Sequence, residues 1–531
     1  MTLLRAIAIA IIFCVFSNFL LRAESIKEAT NSQPSSQWND SPRKLNVLML
    51  TVMASGHTAV PLALGEELAK RGHHVTLCMA GNKYQTAAET VGIAFKSNGP
   101  SHDFTQYGQQ SQTHGGIGSD LTTLLGLKRG IGIETENYLR MFEEGHLGRD
   151  WDIVIATDFI SSLLPCLSEY LNVPALLTHT SLQTHTHTYP SWPWASLSIK
   201  TNTDDITFSQ RFVHAIERAL EPHLLTYVFT PTNRDKLYAF CPQQARTDLI
   251  TAPSTRIPDI VPSVIGVEYP RTISPLSHYV GPILTEHPSP CTDKLESWLN
   301  NKEDKSVIYI SMGSVTLVTK ELAKAFIGGI KKTNYSVLWA MKKTEHFELD
   351  IDPERFFTGD WLPQLSVLRH RATSLAIMHG GANGVHESLH SGVPLILVPG
   401  MIEQNANAGR VHHHRLGIHL NKQGLTAEQV YQSIMEIDSG DYRKNVRKLQ
   451  KVFRAAGGAK RAADLVEFYS EVGYDHLIPA YAKYNWNWVQ YYNADVYTLL
   501  LVCALVTLYI DYKILKCLYS RCCKSKKQKN E

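Results

Sequence analysis

The chain has 531 residues, of which 44% are hydrophobic and 19% are charged, and this composition excludes a disordered, fibrous or multi-span membrane protein. At roughly 150 residues per domain, two or three domains are expected. Nine of the 52 basic residues lie in residues 1–23 and 511–531, which hold two of the 49 acidic residues. The body between these ends is therefore slightly acidic, which argues against a nucleic-acid-binding protein with a basic face.

The first residues have the pattern of a secretory signal. Arg5 precedes an apolar run over residues 6–21, and the small residue Ala23 stands at a suitable cleavage position. We predict a cleaved signal peptide at residues 1–23, with an uncleaved anchor as the alternative, followed by a disordered Ser/Asn/Pro-rich leader at residues 24–43.

A second apolar segment, residues 496–510, contains no charged residue. At 1.5 Å per residue a helix of this length covers about 22 Å, less than the usual span of about 20 residues, so a buried core helix is the alternative. Seven basic residues follow it, and an aromatic belt precedes it: Trp486, Trp488, Tyr491 and Tyr492. We predict one transmembrane helix at residues 491–512, with the basic tail at residues 513–531 in the cytosol and the body in the lumen.

Lys527 and Lys529 stand fifth and third from the last residue, which is the spacing of a dilysine retrieval signal. We therefore expect recognition by the cytosolic retrieval machinery and residence in the endoplasmic reticulum membrane as a single-pass type I protein. A plain stop-transfer cluster is the alternative.

The luminal body retains four cysteines in no metal-like spacing, for which we predict buried thiols, with one disulfide allowed and its pairing open: Cys78, Cys166, Cys241 and Cys291. Two Asn-x-Ser sequons, at Asn39 and Asn334, are candidate glycosylation sites.

Strands and helices alternate along the body. An apolar strand at residues 46–52, a helix at 60–70 and a strand at 74–79 form a βαβ unit with a buried parallel sheet, and a further inner strand covers 152–157. The pattern restarts with a strand at 306–311 and continues with a helix at 320–331, a strand at 337–341, a strand at 375–378, a helix at 383–390 and a strand at 395–398.

We predict an α/β fold with two Rossmann-like domains that face a cleft, at residues 44–280 and 306–490, joined by a Pro-containing linker at 281–305. Helices at 441–456 and 460–472 are expected to close the second domain. Ligands of such sheets bind at the carboxyl ends of the strands.

At the strand that ends in Met378, the residues His379-Gly380-Gly381-Ala382-Asn383 lead into a helix. Glycines let backbone amides approach a ligand, and a helix N-terminus favours an anion, so this turn suits a diphosphate. Glu387 lies one turn later and can accept from two ribose hydroxyls. Upstream, Trp361 offers a flat face to a base, and Gln364 offers an amide. Each residue alone also fits an ordinary turn, a solvated helix or a core position.

Their order over residues 361–404 resembles the signature of family 1 UDP-glycosyltransferases, the group that includes the membrane-bound UDP-glucuronosyltransferases. The resemblance covers the signal, the Gly-Pro-Ile linker, the signature, the carboxyl-terminal span and the dilysine tail. It implies the GT-B type of fold, with Trp361 stacked on uracil, Gln364 at the base or ribose and Glu387 on the ribose. It also implies that the diphosphate is bound by Gly313, Ser314, His379, Gly381 and Asn383. The sugar would be bound by Glu403 and Gln404.

One departure concerns the sugar. Glu403 stands where many members have Asp, so the sequence leaves glucuronate, glucose or another hexose open as the donor sugar.

His57 follows the first strand, and Asp158 follows the strand at 152–157, so both are expected at carboxyl ends of the sheet. Alone, His57 also fits a surface histidine. The resemblance implies that His57 is the general base and Asp158 its partner. Imidazole suits removal of the acceptor proton near neutral pH, and a carboxylate stabilises the resulting imidazolium. Single displacement would invert the anomeric centre, with a UDP-sugar as donor and without a metal cofactor.

Two metal-binding alternatives are weaker. Asp350 and Asp352 form the Asp-x-Asp pattern of metal-dependent glycosyltransferases but lie in a polar stretch that we interpret as a solvated loop. Histidines at 179, 185 and 187 and at 412–414 have no cysteine or acidic partner in register. A catalytically inactive luminal protein that binds UDP-sugar or a partner is the alternative function. The sequence leaves the identity of the small lipophilic acceptor and the oligomeric state, including a homo-oligomer, open.

Overall fold

The computed structural model describes residues 43–52, 55–100, 117–180, 207–209, 212, 216, 234–240, 256–270, 273–313, 316, 318–341, 351–400, 402–478, 488–491 and 493–527. The predicted signal and leader at residues 1–42 lie outside the described residues. So do several individual predictions, namely those that concern Ser314, Asp350, Cys241, His185 and His187.

The first half of the described chain is built on a parallel sheet of seven strands, in the order β3-β2-β1-β4-β5-β6-β7. Its inner strands are continuous apolar runs, because both faces of the sheet are covered. From β1 the strands continue to one edge of the sheet as β2 and β3, and from β4 they continue to the other edge as β5, β6 and β7. In such sheets ligands bind in the crevice at the carboxyl ends of the two strands where the order reverses, here β1 and β4. The strands are β1 Asn46–Leu50, β2 His74–Met79, β3 Ala94–Ser97, β4 Ile153–Thr157, β5 Ala175–Thr178, β6 Asp259–Val261 and β7 Ser277–Tyr279.

Helices cover both faces of this sheet. The buried residues of the longest, Ile117–Glu143, pack with those of β1 and β4 in one hydrophobic cluster that includes Tyr138 and Phe142. The helices of this half are α1 Ser55–Lys70, α2 Gln85–Thr90, α3 Ile117–Glu143, α4 Leu164–Leu171 and α5 Arg234–Phe240.

The second half repeats the plan with a parallel sheet of six strands, in the order β10-β9-β8-β11-β12-β13. The strands are β8 Val307–Ser311, β9 Ser336–Ala340, β10 Phe356–Gly359, β11 Thr373–Met378, β12 Leu395–Leu397 and β13 Gly417–His419. Three of its helices begin at threonines whose hydroxyls accept from the backbone of the first turn, Thr292, Thr319 and Thr426. The helices are α6 Asp293–Asn300, α7 Lys320–Lys331, α8 Gln364–Arg369, α9 Ala382–His390, α10 Ile402–His413, α11 Ala427–Ser439, α12 Tyr442–Ala456 and α13 Ala459–Val472.

The prediction that α13 closes the second domain is wrong. Its buried residues, which include Leu465 and Tyr469, belong to the hydrophobic cluster of β1 and α1 in the first half. Gly457 and Gly458 adopt φ of +94° and +58°, a backbone conformation that lets the chain turn between α12 and α13. Arg71 then binds acidic residues of α13 from the end of α1, with distances of 2.9 and 3.0 Å to Asp464 and Glu467.

The last helices are α14 Trp488–Tyr491 and α15 Ala494–Lys527. Residues 494–520 form a candidate membrane span with a mean hydropathy of 1.8, and none of its apolar stretch is buried. The alternative of a buried core helix is therefore wrong. The prediction of an apolar helix at 491–512 is confirmed in place but too short, because the helix continues through the basic residues that follow.

Cys166 is disulfide-bonded rather than a buried thiol, in agreement with the one disulfide that the sequence allowed. Cys78 is a buried free thiol, as predicted, and Cys291 is a half-buried one.

Candidate active site

His57 and Asp158 meet at the carboxyl edge of the first sheet. His57 lies in the first turn of α1, which follows β1, and Asp158 begins the short 3₁₀ helix Asp158–Leu163 directly after β4. Because β1 and β4 are adjacent parallel strands, the residues that follow them emerge side by side. The imidazole Nδ1 of His57 lies 3.5 Å from Oδ1 of Asp158.

Thr180 lies between these two side chains, and the sequence did not predict it. Its hydroxyl donates to Oδ1 of Asp158 at 2.8 Å and contacts Nδ1 of His57. Its backbone N–H donates to Oδ2 of Asp158 at 3.3 Å. Thr180 follows β5, the next strand after β4, so the rule that located His57 and Asp158 also points to a polar residue here.

These contacts define which imidazole nitrogen carries the proton. A threonine hydroxyl has one proton, and Thr180 donates it to Asp158, so toward His57 the hydroxyl accepts. Nδ1 of His57 is therefore the protonated nitrogen, and Nε2 carries the lone pair. The Phe159 ring packs against the imidazole with a centroid distance of 4.1 Å, which holds its plane.

The carboxyl of Asp158 is ionised although its side chain is only 18% exposed. Burial raises its pKa, but the hydrogen bond and charge of His57, the charge of His179 and the hydroxyl of Thr180 outweigh burial and hold the pKa well below its usual range. Asp158 can therefore orient His57 and stabilise its protonated form.

His179, which the sequence offered as a metal ligand, forms a buried pair with Asp259 instead, with 2.9 Å between Nε2 and Oδ2. Burial lowers the pKa of His179, but the hydrogen bond and charge of Asp259 outweigh burial and raise it above its usual value. The protonated form of His179 is thus favoured, and its charge in turn lowers the pKa of Asp158.

In the second half, His379 is enclosed by two of the predicted glycines. A Cβ on Gly313, whose φ is +71°, would lie 2.5 Å from Cε1 of His379, and one on Gly381 would lie 2.6 Å from its Nε2. Both positions need glycine for the imidazole to fit. Gly381 is also the N-cap of α9, so His379 stands at the positive end of that helix.

Gln364 and Glu387 are in direct contact, with 2.6 Å from Nε2 of Gln364 to Oε2 of Glu387. The hydroxyl of Tyr309 donates to Oε1 of Gln364 at 3.3 Å. Burial raises the pKa of Glu387, and the hydrogen bond from Gln364 opposes that shift. Trp361, just before α8, is 75% exposed and presents an open aromatic surface.

Asn383 lies at the N-terminus of α9, as the sequence predicted, but its side-chain amide donates to the backbone carbonyl of Gly56 at 2.6 Å. Gly56 directly precedes His57. This hydrogen bond joins the helix N-terminus of the second half to the turn that carries His57 in the first half.

Gln404 is 3% exposed, and its side-chain carbonyl accepts from the backbone N–H of Gly400 at 2.9 Å. Its role at a sugar, like that of Glu403, whose side chain lies outside the described residues, stays a prediction. Further along α10, Asn407 donates to the carbonyl of Gly380 at 2.8 Å, which fixes α10 against the turn after β11.

The alternative metal ligands have other contacts. Asp352 accepts from the backbone N–H of Glu354 at 3.0 Å, as in an ordinary turn. His413 and His414 pack against the ring of Tyr269, at centroid distances of 5.4 and 5.8 Å. Across the described ranges, no group of three or more His, Cys, Asp and Glu side chains is placed to hold a metal ion.

The chain is similar to known transferases. The family model described as UDP-glucoronosyl and UDP-glucosyl transferase matches residues 144–529. Human UDP-glucuronosyltransferase 1A6 is 26% identical over 379 residues, which cover 68% of this chain and 69% of that protein. Mouse UDP-glucuronosyltransferase 3A1 is 30% identical over 262 residues, 48% of this chain and 50% of that protein.

Solved structures share the fold. The calicheamicin glycosyltransferase CalG4 superposes with a TM-score of 0.60 at 21% identity, over 81% of this chain and 99% of that chain. Arabidopsis thaliana UGT89C1, complexed with quercetin, superposes with a TM-score of 0.56 at 18% identity, over 81% of this chain and 100% of that chain. The two-sheet α/β architecture is the GT-B type, as predicted.

Proposed function

The chain belongs to the UDP-glucuronosyl and UDP-glucosyl transferase family and is a UDP-sugar glycosyltransferase, and from this premise we propose its reaction. The enzyme moves a glucuronosyl or glucosyl group from UDP to a hydroxyl of a small lipophilic acceptor, with inversion, and gives a β-glycoside. The observation that carries the proposal is the contact series His57–Thr180–Asp158, which lies beside the N-terminus of α9.

In the proposed step, Nε2 of His57 takes the proton of the acceptor hydroxyl as that oxygen attacks the anomeric carbon. The bond between this carbon and the UDP oxygen breaks with its electron pair, so UDP leaves as the anion. Asp158 stabilises the imidazolium through Thr180. Attack on the face opposite UDP turns an α-linked donor into a β-glycoside.

The donor is proposed to bind across the second half. Trp361 stacks on the uracil, Gln364 contacts the base or ribose, and Glu387 accepts from the ribose hydroxyls. The diphosphate lies against the N-terminus of α9, where the partial positive charge of the helix favours an anion. The remaining proposed contacts to the diphosphate are made by Gly313, Ser314, His379, Gly381 and Asn383. The proposed contacts to the sugar are made by Glu403 and Gln404.

The proposed cellular site is the endoplasmic reticulum membrane, with the catalytic body in the lumen. The exposed apolar helix at 494–520 and the basic residues that follow support an anchored protein whose tail faces the cytosol. Cleavage of residues 1–23 and retrieval through Lys527 and Lys529 are parts of the same proposal.

The test is UDP release by microsomes that carry the full chain, with UDP-glucuronate or UDP-glucose, phenolic or steroid acceptors, and a chelator present. Release that depends on the acceptor, is lost in His57→Ala and is kept in His287→Ala supports the proposal. His287 is the matched control because it is an exposed histidine outside the contact series. UDP binding without release for any pair would favour the alternative, an inactive UDP-sugar-binding protein.

A further inference from the structure

Two buried polar side chains outside the reaction site face each other in the first half. Asn98 directly follows β3, and Glu134 lies in α3; Nδ2 of Asn98 donates to Oε2 of Glu134 at 3.0 Å. Asn98 is 1% exposed and Glu134 is 0% exposed. Neither takes part in the contact series of His57.

The pair has unused hydrogen-bonding capacity. Among the residues that the structure describes, Oε1 of Glu134 and Oδ1 of Asn98 have no hydrogen-bond partner, and the hydroxyl of the next residue, Thr135, has none either. When Glu134 is ionised, both of these oxygens are acceptors, and leaving them unpaired is costly because each has lost its hydrogen bond to water. The group that would satisfy them is a donor, an O–H or N–H.

The direction of α3 places this pair on the cleft side of the sheet. Lys96 lies within β3 and donates to the carbonyl of His146, which follows the end of α3. Asn98 comes later along the chain but contacts Glu134, which lies nine residues before the end of α3. The helix therefore runs opposite to the strands. Its residue Tyr138 places its hydroxyl 2.6 Å from the carbonyl of Thr51, just past β1.

Glu134 precedes Tyr138 by one turn on the same helix face, so it lies about 5–6 Å further out, beyond the carboxyl edge. This is the edge at which His57 stands. Along the sheet, β2 separates β3 from β1, so the ends of β3 and β1 are about 10 Å apart at the usual strand spacing. Between them β2 ends in the apolar residue Met79.

We propose that Asn98 and Glu134 form a second acceptor subsite, which receives an O–H or N–H group about 10 Å from the hydroxyl that is glycosylated at His57. The preferred acceptor is then a rigid lipophilic molecule with the reacting hydroxyl at one end and a hydrogen-bond donor at the other. This inference rests on the proposed function for the site at His57. Burial raises the pKa of Glu134 to about 7, with the hydrogen bond from Asn98 opposing, so above about pH 7 the carboxyl is ionised and both of its oxygens accept.

The test compares two probes that differ only at the far end, 4,4′-dihydroxybiphenyl and 4-hydroxybiphenyl. Their equilibrium binding to the purified full chain in detergent is measured by calorimetry at pH 8, where Glu134 is ionised, in the presence of UDP, so that the result does not depend on turnover. The wild type is expected to bind the dihydroxy probe about tenfold more tightly, the factor of one buried hydrogen bond. Glu134→Met, which has a similar length and no group that pairs strongly with the far hydroxyl, should remove this preference.

Glu143→Met is the matched control, since Glu143 is an exposed carboxylate at the end of the same helix. It should keep the tenfold preference. Equal binding of the two probes by the wild type, or a preference that survives in Glu134→Met, would overturn the subsite. UDP release with 4-hydroxybiphenyl is measured separately, so a failure of the catalytic proposal is distinguished from a failure of the subsite.

Discussion

The side-chain amide of Asn383 donates to the backbone carbonyl of Gly56 at 2.6 Å, one residue before His57. Through this hydrogen bond, the N-terminus of α9 in the second half and the N-terminus of α1 in the first half meet at one point. The helix end proposed to hold the departing diphosphate therefore lies beside the imidazole proposed to activate the acceptor.

From this contact we expect Asn383→Ala to lower kcat/KM for the acceptor about fivefold to tenfold, the effect of one lost hydrogen bond. Steady-state kinetics measure this change, and calorimetry with UDP measures donor affinity. A loss of UDP affinity as large as the loss in kcat/KM would instead assign the amide mainly to the diphosphate.

Thr180 is expected to transmit the effect of Asp158 to His57. Thr180→Val removes the hydroxyl between them at nearly constant volume and should lower kcat about tenfold to a hundredfold, because hydrogen bonds to charged groups contribute about 1.5–3 kcal/mol. Thr180→Ser keeps the hydroxyl and should stay near the wild-type rate. Equal rates for the Val and Ser variants would show that the hydroxyl has no part in the reaction.

The buried carboxyl of Glu134 should make stability depend on pH. Burial raises its folded-state pKa from 4.5 to about 7, while the unfolded chain ionises near 4.5. The free energy of unfolding therefore falls by about 3 kcal/mol as the pH rises from below 4.5 through about 7, compared with a protein that has a neutral side chain at this position. Glu134→Gln cannot ionise, so its Tm relative to wild type should be higher at pH 8 than at pH 5.

Thermal melting at the two pH values measures this difference. Glu143→Gln, at an exposed position, should show no such change between pH 5 and pH 8. The same Tm difference at both pH values for Glu134→Gln would contradict a raised pKa.

Gly313→Ala should disturb the turn after β8 in two ways. Its φ of +71° disfavours any L residue, and the new Cβ would lie 2.5 Å from Cε1 of His379. Gly424 is a matched control, because its φ is +69° but nothing lies within 4 Å of its would-be Cβ. Both alanine variants should lose about 1–2 kcal/mol of stability from the backbone, and only Gly313→Ala should also lose UDP affinity by calorimetry.

Deletion of residues 494–531 should release the body from membranes without unfolding it. The apolar stretch of this helix is not buried against the body, so removal of the helix uncovers no core. Sedimentation of microsomes after treatment with alkaline carbonate measures the release, and the melting temperature of the released protein measures its integrity. A truncated chain that stays in the membrane pellet would show that a different segment anchors it.

Local sequence was sufficient where structure depends on neighbouring residues. The strand at His74–Met79 and the helix at Lys320–Lys331 lie where their patterns predict them, since a buried parallel strand is a continuous apolar run and a half-buried helix repeats every three to four residues. The carboxyl-end rule likewise predicted that His57 and Asp158 lie together, because both follow inner strands.

The sequence by itself thus determined the two parallel sheets, the apolar helix near the end of the chain, and the family signature with its candidate residues. Only the tertiary structure decided that Thr180 lies between His57 and Asp158, that α13 packs on the first half, and that Asn383 contacts Gly56. The reason is physical. Periodicity records which face of an element is buried, whereas the partner of a polar side chain depends on which distant segments folding brings within hydrogen-bond distance.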